Sequence, residues 1–123
     1  MRFRSIALVA VTAALALSGV AYAASSAANV TAPIKITVTL KDYSFGWSRT
    51  SVPVGSTVVF TVRNTGTVQH NVDFTALNKR SAIITPGTKT TLKIVFKKKG
   101  TIQVVCDVPR HIQLGMVSSF RVK

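Results

Sequence analysis

One cysteine, Cys106, occurs in 123 residues, so no disulfide can close within the chain. Acidic side chains are almost as scarce: Asp42, Asp73 and Asp107 are the only three. With so few, no pair of carboxylates suits general acid–base work. No Ser-His-Asp set stands out either, and catalysis by this chain alone is not expected. No stripe of 3.6-residue period runs through residues 24–123, and no internal repeat is visible, so the pattern is not that of helices. What is plentiful is positive charge and β-branched residues.

The chain opens with Arg2 and Arg4, continues through an uncharged run from Ser5 and reaches Ala21-Tyr22-Ala23. A basic start, an apolar middle and a small-x-small end read as a secretory signal peptide over residues 1–23. The 20 uncharged residues from Ser5 to Ala24 also match the length of a membrane-spanning helix. Their Ala, Ser, Thr and Gly content makes the run only modestly apolar, which favours cleavage. The expected location is therefore outside the cytoplasm, periplasmic or otherwise extracytoplasmic. In such an oxidising place a lone cysteine implies an intermolecular bridge, a reactive thiol or a metal ligand. After cleavage 14 Lys and Arg remain against three Asp, a net charge of +11. Charge of that size suits solubility, or an anionic partner such as an acidic protein or an anionic membrane face. Export argues against nucleic acid.

Residues 24–33, ASSAANVTAP, are small and polar and read as a flexible leader. From Ile34 the period is two. Ile34, Ile36, Val38 and Leu40 alternate with Lys35, Thr37, Thr39 and Lys41, as a half-buried strand does. Val58, Phe60 and Val62 form a second strand between the turns Pro53-Val54-Gly55-Ser56 and Asn64-Thr65-Gly66. His70, Val72 and Phe74 share one face of another, Leu92, Ile94 and Phe96 of the next, then Ile102, Val104 and Cys106, and finally Phe120 and Val122. Thr75–Thr85 is the least patterned part, a loop or a short edge strand. Short strands spaced by Gly and Pro turns predict one all-β domain over residues 34–123, a sandwich or barrel.

Four soft donors survive the signal peptide: His70, Cys106, His111 and Met116. Three fall within the segment CDVPRHIQLGM, where Cys106 ends a strand and Val108, Pro109 and Gly115 mark a returning loop. The fourth, His70, lies 36 residues earlier. Thiolate, thioether and imidazole select copper, and two His with one Cys and a weak Met form the set of blue-copper centres.

The order Gln69-His70-Asn71-Val72, then Cys106-x4-His111-x4-Met116 before the last strand, resembles the cupredoxin family of plastocyanin, azurin and pseudoazurin. Val54-Gly55, Asn64-Thr65-Gly66, Pro86-Gly87 and Gly100 agree with its texture, and the likeness spans Ile34 to Lys123. It implies a Greek-key β-sandwich or barrel holding one copper ion per chain, cycling between Cu(II) and Cu(I). The metal ligands it implies are His70, Cys106 and His111 in a trigonal set and Met116 as the weak axial donor. It implies that Asn71 ties the His70 segment to the Cys loop. Val108, Pro109, Ile112 and Leu114 would form an apolar collar where electrons cross. Arg110 adds a charge there, at a position where the family often has glycine. The implied role is a one-electron carrier, a monomer whose partner is an acidic redox protein of cytochrome or oxidase type. Copper delivery or storage, or an accessory module of a larger redox complex, are the other readings. Neither a second cysteine nor a third histidine is present for a dinuclear centre or an additional catalytic copper.

Overall fold

The computed structural model describes residues 19–21 and 31–123. Most of the expected signal peptide and most of the expected leader lie outside the described residues. Among those described, no helix is long and apolar enough to cross a membrane.

β1 (Ile34–Lys41) buries Ile36, Val38 and Leu40 and turns its polar residues outward. β4 (Thr57–Asn64) does the same with Val58, Phe60 and Val62. The two run parallel, with Ile36 opposite Phe60 and Val38 opposite Val62. β2 (Ser44–Trp47) flanks β1, and β7 (Lys89–Val95) flanks β4, both antiparallel. The first sheet is thus ordered β2-β1-β4-β7. The second is ordered β3-β9-β8-β5-β6, built from Ser51–Val52, Val117–Val122, Gly100–Val105, Asp73–Phe74 and Lys79–Arg80. Both sheets are mixed, because β3 also runs parallel to β9.

The sheets meet through aromatic side chains. Phe60 and Trp47 of the first contact Phe74 and Phe120 of the second at centroid separations of 5.2 to 6.3 Å. Phe96, just beyond β7, stacks on Phe120 at 5.2 Å. Each such pair adds roughly 0.5–1.5 kcal/mol beyond its buried area. The Trp47 indole N–H donates to the Ser118 hydroxyl at 2.9 Å, so a polar bond also links the layers.

Some elements depart from the periodicity. The strand expected around His70 shrinks to Asp73–Phe74, while His70 makes a single bridge to Ile84. Alternation fails there because both sides are covered: His70, Asn71, Val72, Asp73 and Phe74 are all buried. Thr75–Thr85 resolves into a 3-10 turn at Thr75–Leu77, the edge strand β6 and the Ile84 bridge. β2 and β3, four and two residues long, are too short for the pattern to mark.

Candidate metal centre

Three turns converge at one end of the sandwich. β1 and β4 are parallel and end in register at Leu40 and Asn64, so the chain beyond each emerges at the same edge. Asn64 is buried and organises the loop after it. Its side-chain NH2 donates to the carbonyls of Val68 and Ile84 at 2.8 and 2.9 Å, and its Oδ1 accepts from the Gly66 N–H at 2.9 Å. His70 follows, with backbone bonds to Ile84 in both directions. The third turn joins β8 to β9. It is closed by Met116 N–H to the His111 carbonyl at 3.0 Å and by Cys106 N–H to the Met116 carbonyl at 3.3 Å.

These turns bring His70, Cys106 and His111 together, all buried. His70 Nδ1 lies 3.1 Å from His111 Nδ1, and Cys106 Sγ lies 3.3 Å from His111 Nδ1 and 3.9 Å from His70 Nδ1. A triangle with those sides has its centre about 2 Å from every corner, close to the ~2.0–2.3 Å of transition-metal bonds to imidazole and thiolate. The donor set and its spacing fit a soft metal ion. Met116 is fully buried in the same apolar cluster as Cys106.

Polar contacts hold the donors in place. The Asn71 N–H donates to Cys106 Sγ at 3.5 Å. The Asn71 side chain grips Asp107 twice, giving a hydrogen bond to its Oδ1 and taking one from its N–H. Burial pushes the Cys106 thiol up from its ordinary value, against the lowering effect of the Asn71 and Val108 N–H groups. With no metal bound the thiol therefore keeps its proton, which metal binding must release. Burial, then the neighbouring His70, draws His111 down, so that ring stays neutral with its lone pair available.

The expected collar is uneven. Ile112 and Leu114 are about half exposed, Pro109 is exposed, and Val108 is partly buried against the core. Arg110 is exposed at φ 73°, a left-handed conformation that costs any residue but glycine. That geometry gives a physical reason for the glycine often found there in the family. His111 itself is only 7% exposed. One reason is Tyr43, whose ring meets the His111 ring edge-on at 5.2 Å and the His70 ring at 6.3 Å.

Tyr43 and its neighbour Asp42 escaped the sequence reading. Asp42 Oδ1 lies 3.0 Å from His70 Nε2, on the far side of the ring from the donor triangle. The Thr67 hydroxyl first, and then His70 and the Thr67 N–H, hold this carboxyl far below the usual carboxylate range. Its rarity was the available signal, as one of three acids in a chain of formal charge +13.

A family model described as the cupredoxin-like domain matches residues 7–117. The chain belongs to the cupredoxin-like family. Solved structures with this fold include the dithionite-reduced auracyanin of Roseiflexus castenholzii. It is 21% identical, with a TM-score of 0.62 over 76% of this chain and 99% of that one. Auracyanin A of Chloroflexus aurantiacus, described as a "blue" copper protein, is 18% identical, with a TM-score of 0.60 over 75% and 100%. The periplasmic domain of cytochrome oxidase subunit II from Bradyrhizobium japonicum is 16% identical, with a TM-score of 0.63 over 76% and 86%. At such identities the likeness is one of fold. No curated protein matches the sequence. The cupredoxin-like sandwich explains why its site sits where it does: the strands end together and the loops between them carry the donors.

Proposed function

We propose that this chain is an exported one-electron carrier that binds a single copper ion on His70, Cys106, His111 and Met116. The observation that carries the reading is the buried triangle of two imidazole nitrogens and one sulfur, sized for one ion. Copper, when bound, supplies a one-electron couple between Cu(II) and Cu(I).

The chain's own residues do the rest. Cys106 gives up its proton and offers a thiolate, while the Asn71 N–H bonds the sulfur and limits its charge. His70 and His111 present Nδ1 lone pairs, and Met116 is the weak fourth donor. Because strands and the Asn71–Asp107 pair fix these groups, they need not move when an electron arrives. Tyr43, Ile112 and Leu114 face the surface around His111 and form the contact through which a partner would exchange electrons. The chain carries the electron and catalyses no reaction itself.

The basic surface and Arg110 favour an acidic redox partner, and docking by charge should slow as salt rises. Two fold relatives, described as a blue copper protein and as an oxidase subunit II domain, support partners of that kind. An accessory place in a larger redox complex is the second reading, favoured by the subunit II likeness. The lone Cys106 argues against a dinuclear centre in it.

Titration of the purified protein with Cu(II) under visible spectroscopy tests the reading. Saturation at one ion per chain, with an intense thiolate band that bleaches and returns with reductant and oxidant, is expected. Colourless copper that a chelator removes readily would point to delivery instead.

A further inference from the structure

The tip of the β1–β2 hairpin reaches the centre from behind. Because Leu40 pairs with Asn64 in a parallel register, Asp42 falls beside the loop leading to His70. Both carboxylate oxygens are engaged there. Oδ1 accepts from the Thr67 N–H at 2.9 Å and lies 3.0 Å from His70 Nε2; Oδ2 accepts from the Thr67 hydroxyl at 2.6 Å. Gly66 makes room for this. A Cβ at that position would lie 2.9 Å from His70 Nε2 and closer still to Asp42 Oδ1, so any side chain would wedge the pair apart.

An ionised carboxylate can only accept a hydrogen bond. His70 Nε2 must then carry the hydrogen, and Nδ1 is left as the lone-pair nitrogen. That nitrogen is the one that faces His111 Nδ1 and Cys106 Sγ. A carboxylate on the remote nitrogen of a ligating histidine fixes its ring and raises its basicity. A more basic imidazole stabilises the more highly charged form of a bound ion.

We infer that Asp42 is a positioning residue for the metal centre: held by Thr67 and admitted by Gly66, it fixes the His70 tautomer and biases a bound copper toward Cu(II). The redox half rests on the electron-carrier reading; the tautomer half belongs to the metal-free chain.

Two measurements separate them. In the copper-free protein, imidazole 15N NMR should show His70 protonated at Nε2 alone, and Asp42→Ala should give a mixture of tautomers. In the copper-loaded protein, Asp42→Asn keeps an acceptor oxygen in place and removes the charge. Its visible band should survive. Cu(II) affinity should fall by about 10–100-fold, and more than Cu(I) affinity. Each tenfold of that difference raises the potential by ~59 mV. Gly66→Ala, with the carboxylate intact, should shift the potential in the same direction. A merely structural tie between two loops would lower thermal stability and leave the potential of Asp42→Asn at the wild-type value, which overturns the redox half. A wild-type His70 protonated at Nδ1 overturns the tautomer half. If the wild type binds no copper, the electron-carrier reading and the redox half fall together, and the 15N spectrum still decides the tautomer.

Discussion

Asn71 and Asp107 hold each other by two hydrogen bonds across 36 residues of sequence: Asn71 Nδ2 to Asp107 Oδ1 at 2.7 Å, and Asp107 N–H to Asn71 Oδ1 at 2.9 Å. The pair fastens the segment carrying His70 to the loop carrying His111, with Cys106 between. Arg80 extends the link from β6 by donating to Asp107 Oδ2 at 3.0 Å, but that bond is largely exposed and worth little. Asn71→Ala removes both bonds, one of them to a charged group. We expect a loss of about 2–4 kcal/mol, read as a lower midpoint in chemical denaturation with an unchanged m-value. A loss below ~0.5 kcal/mol would show that the pair does not fasten the loops.

Cys106→Ser should remove the visible band entirely and leave far-ultraviolet circular dichroism unchanged, since the strands do not depend on the sulfur. Met116→Leu conserves volume and should keep the colour while raising the potential, because the proposed axial thioether would stabilise Cu(II) more than Cu(I). A band that survives in the serine variant contradicts the ligand assignment.

Arg110 sits at φ 73°, where a side chain costs about 1–2 kcal/mol relative to the right-handed region. Glycine relieves that strain but gains freedom in the unfolded chain. The net expected change for Arg110→Gly is a stabilisation of about 0.5–1 kcal/mol, visible as a rise of several degrees in Tm. The same variant removes one charge beside the site and should weaken the salt dependence of docking to an acidic partner.

The copper-free protein should be most stable on a plateau bounded by two titrations. His111 is drawn below its ordinary 6.5. Its contribution is present above that value and is lost as the pH falls through the lower folded pKa. Cys106 is pushed above its ordinary 9.0, so its contribution is present below that value and is lost as the pH rises through the higher folded pKa. Thermal midpoints measured across the range should fall on both sides. Copper should steepen the acid limb, because protons compete with the ion for Cys106 and His111. A copper-free midpoint that is flat from pH 4 to 7 would show that His111 is not held neutral by burial.

Phe60 sits where both sheets meet, fully buried, with Trp47, Phe74, Phe96 and Phe120 around it. Phe60→Ala should cost about 3–5 kcal/mol, enough to unfold a marginal domain of this size. Phe60→Leu should cost much less, measured in the same denaturation experiment.

Alternation along Ile34–Leu40 and Val58–Val62 was enough to read the long strands and the faces they bury, because each has one wet side and one dry side. Donor identity and order, from His70 to Met116, were enough to name the fold, since few scaffolds collect those side chains in that sequence. The short strand read around His70 exists, but only as Asp73–Phe74; its extent was not readable, because both of its faces are buried and no exposed residue marks an outside. Nor was the Asp42 contact. It spans 28 residues to His70 and obeys no period; it exists because β1 and β4 run parallel in a particular register and end together. Local chemistry names the donors, while the register of strands distant in sequence chooses what stands behind them.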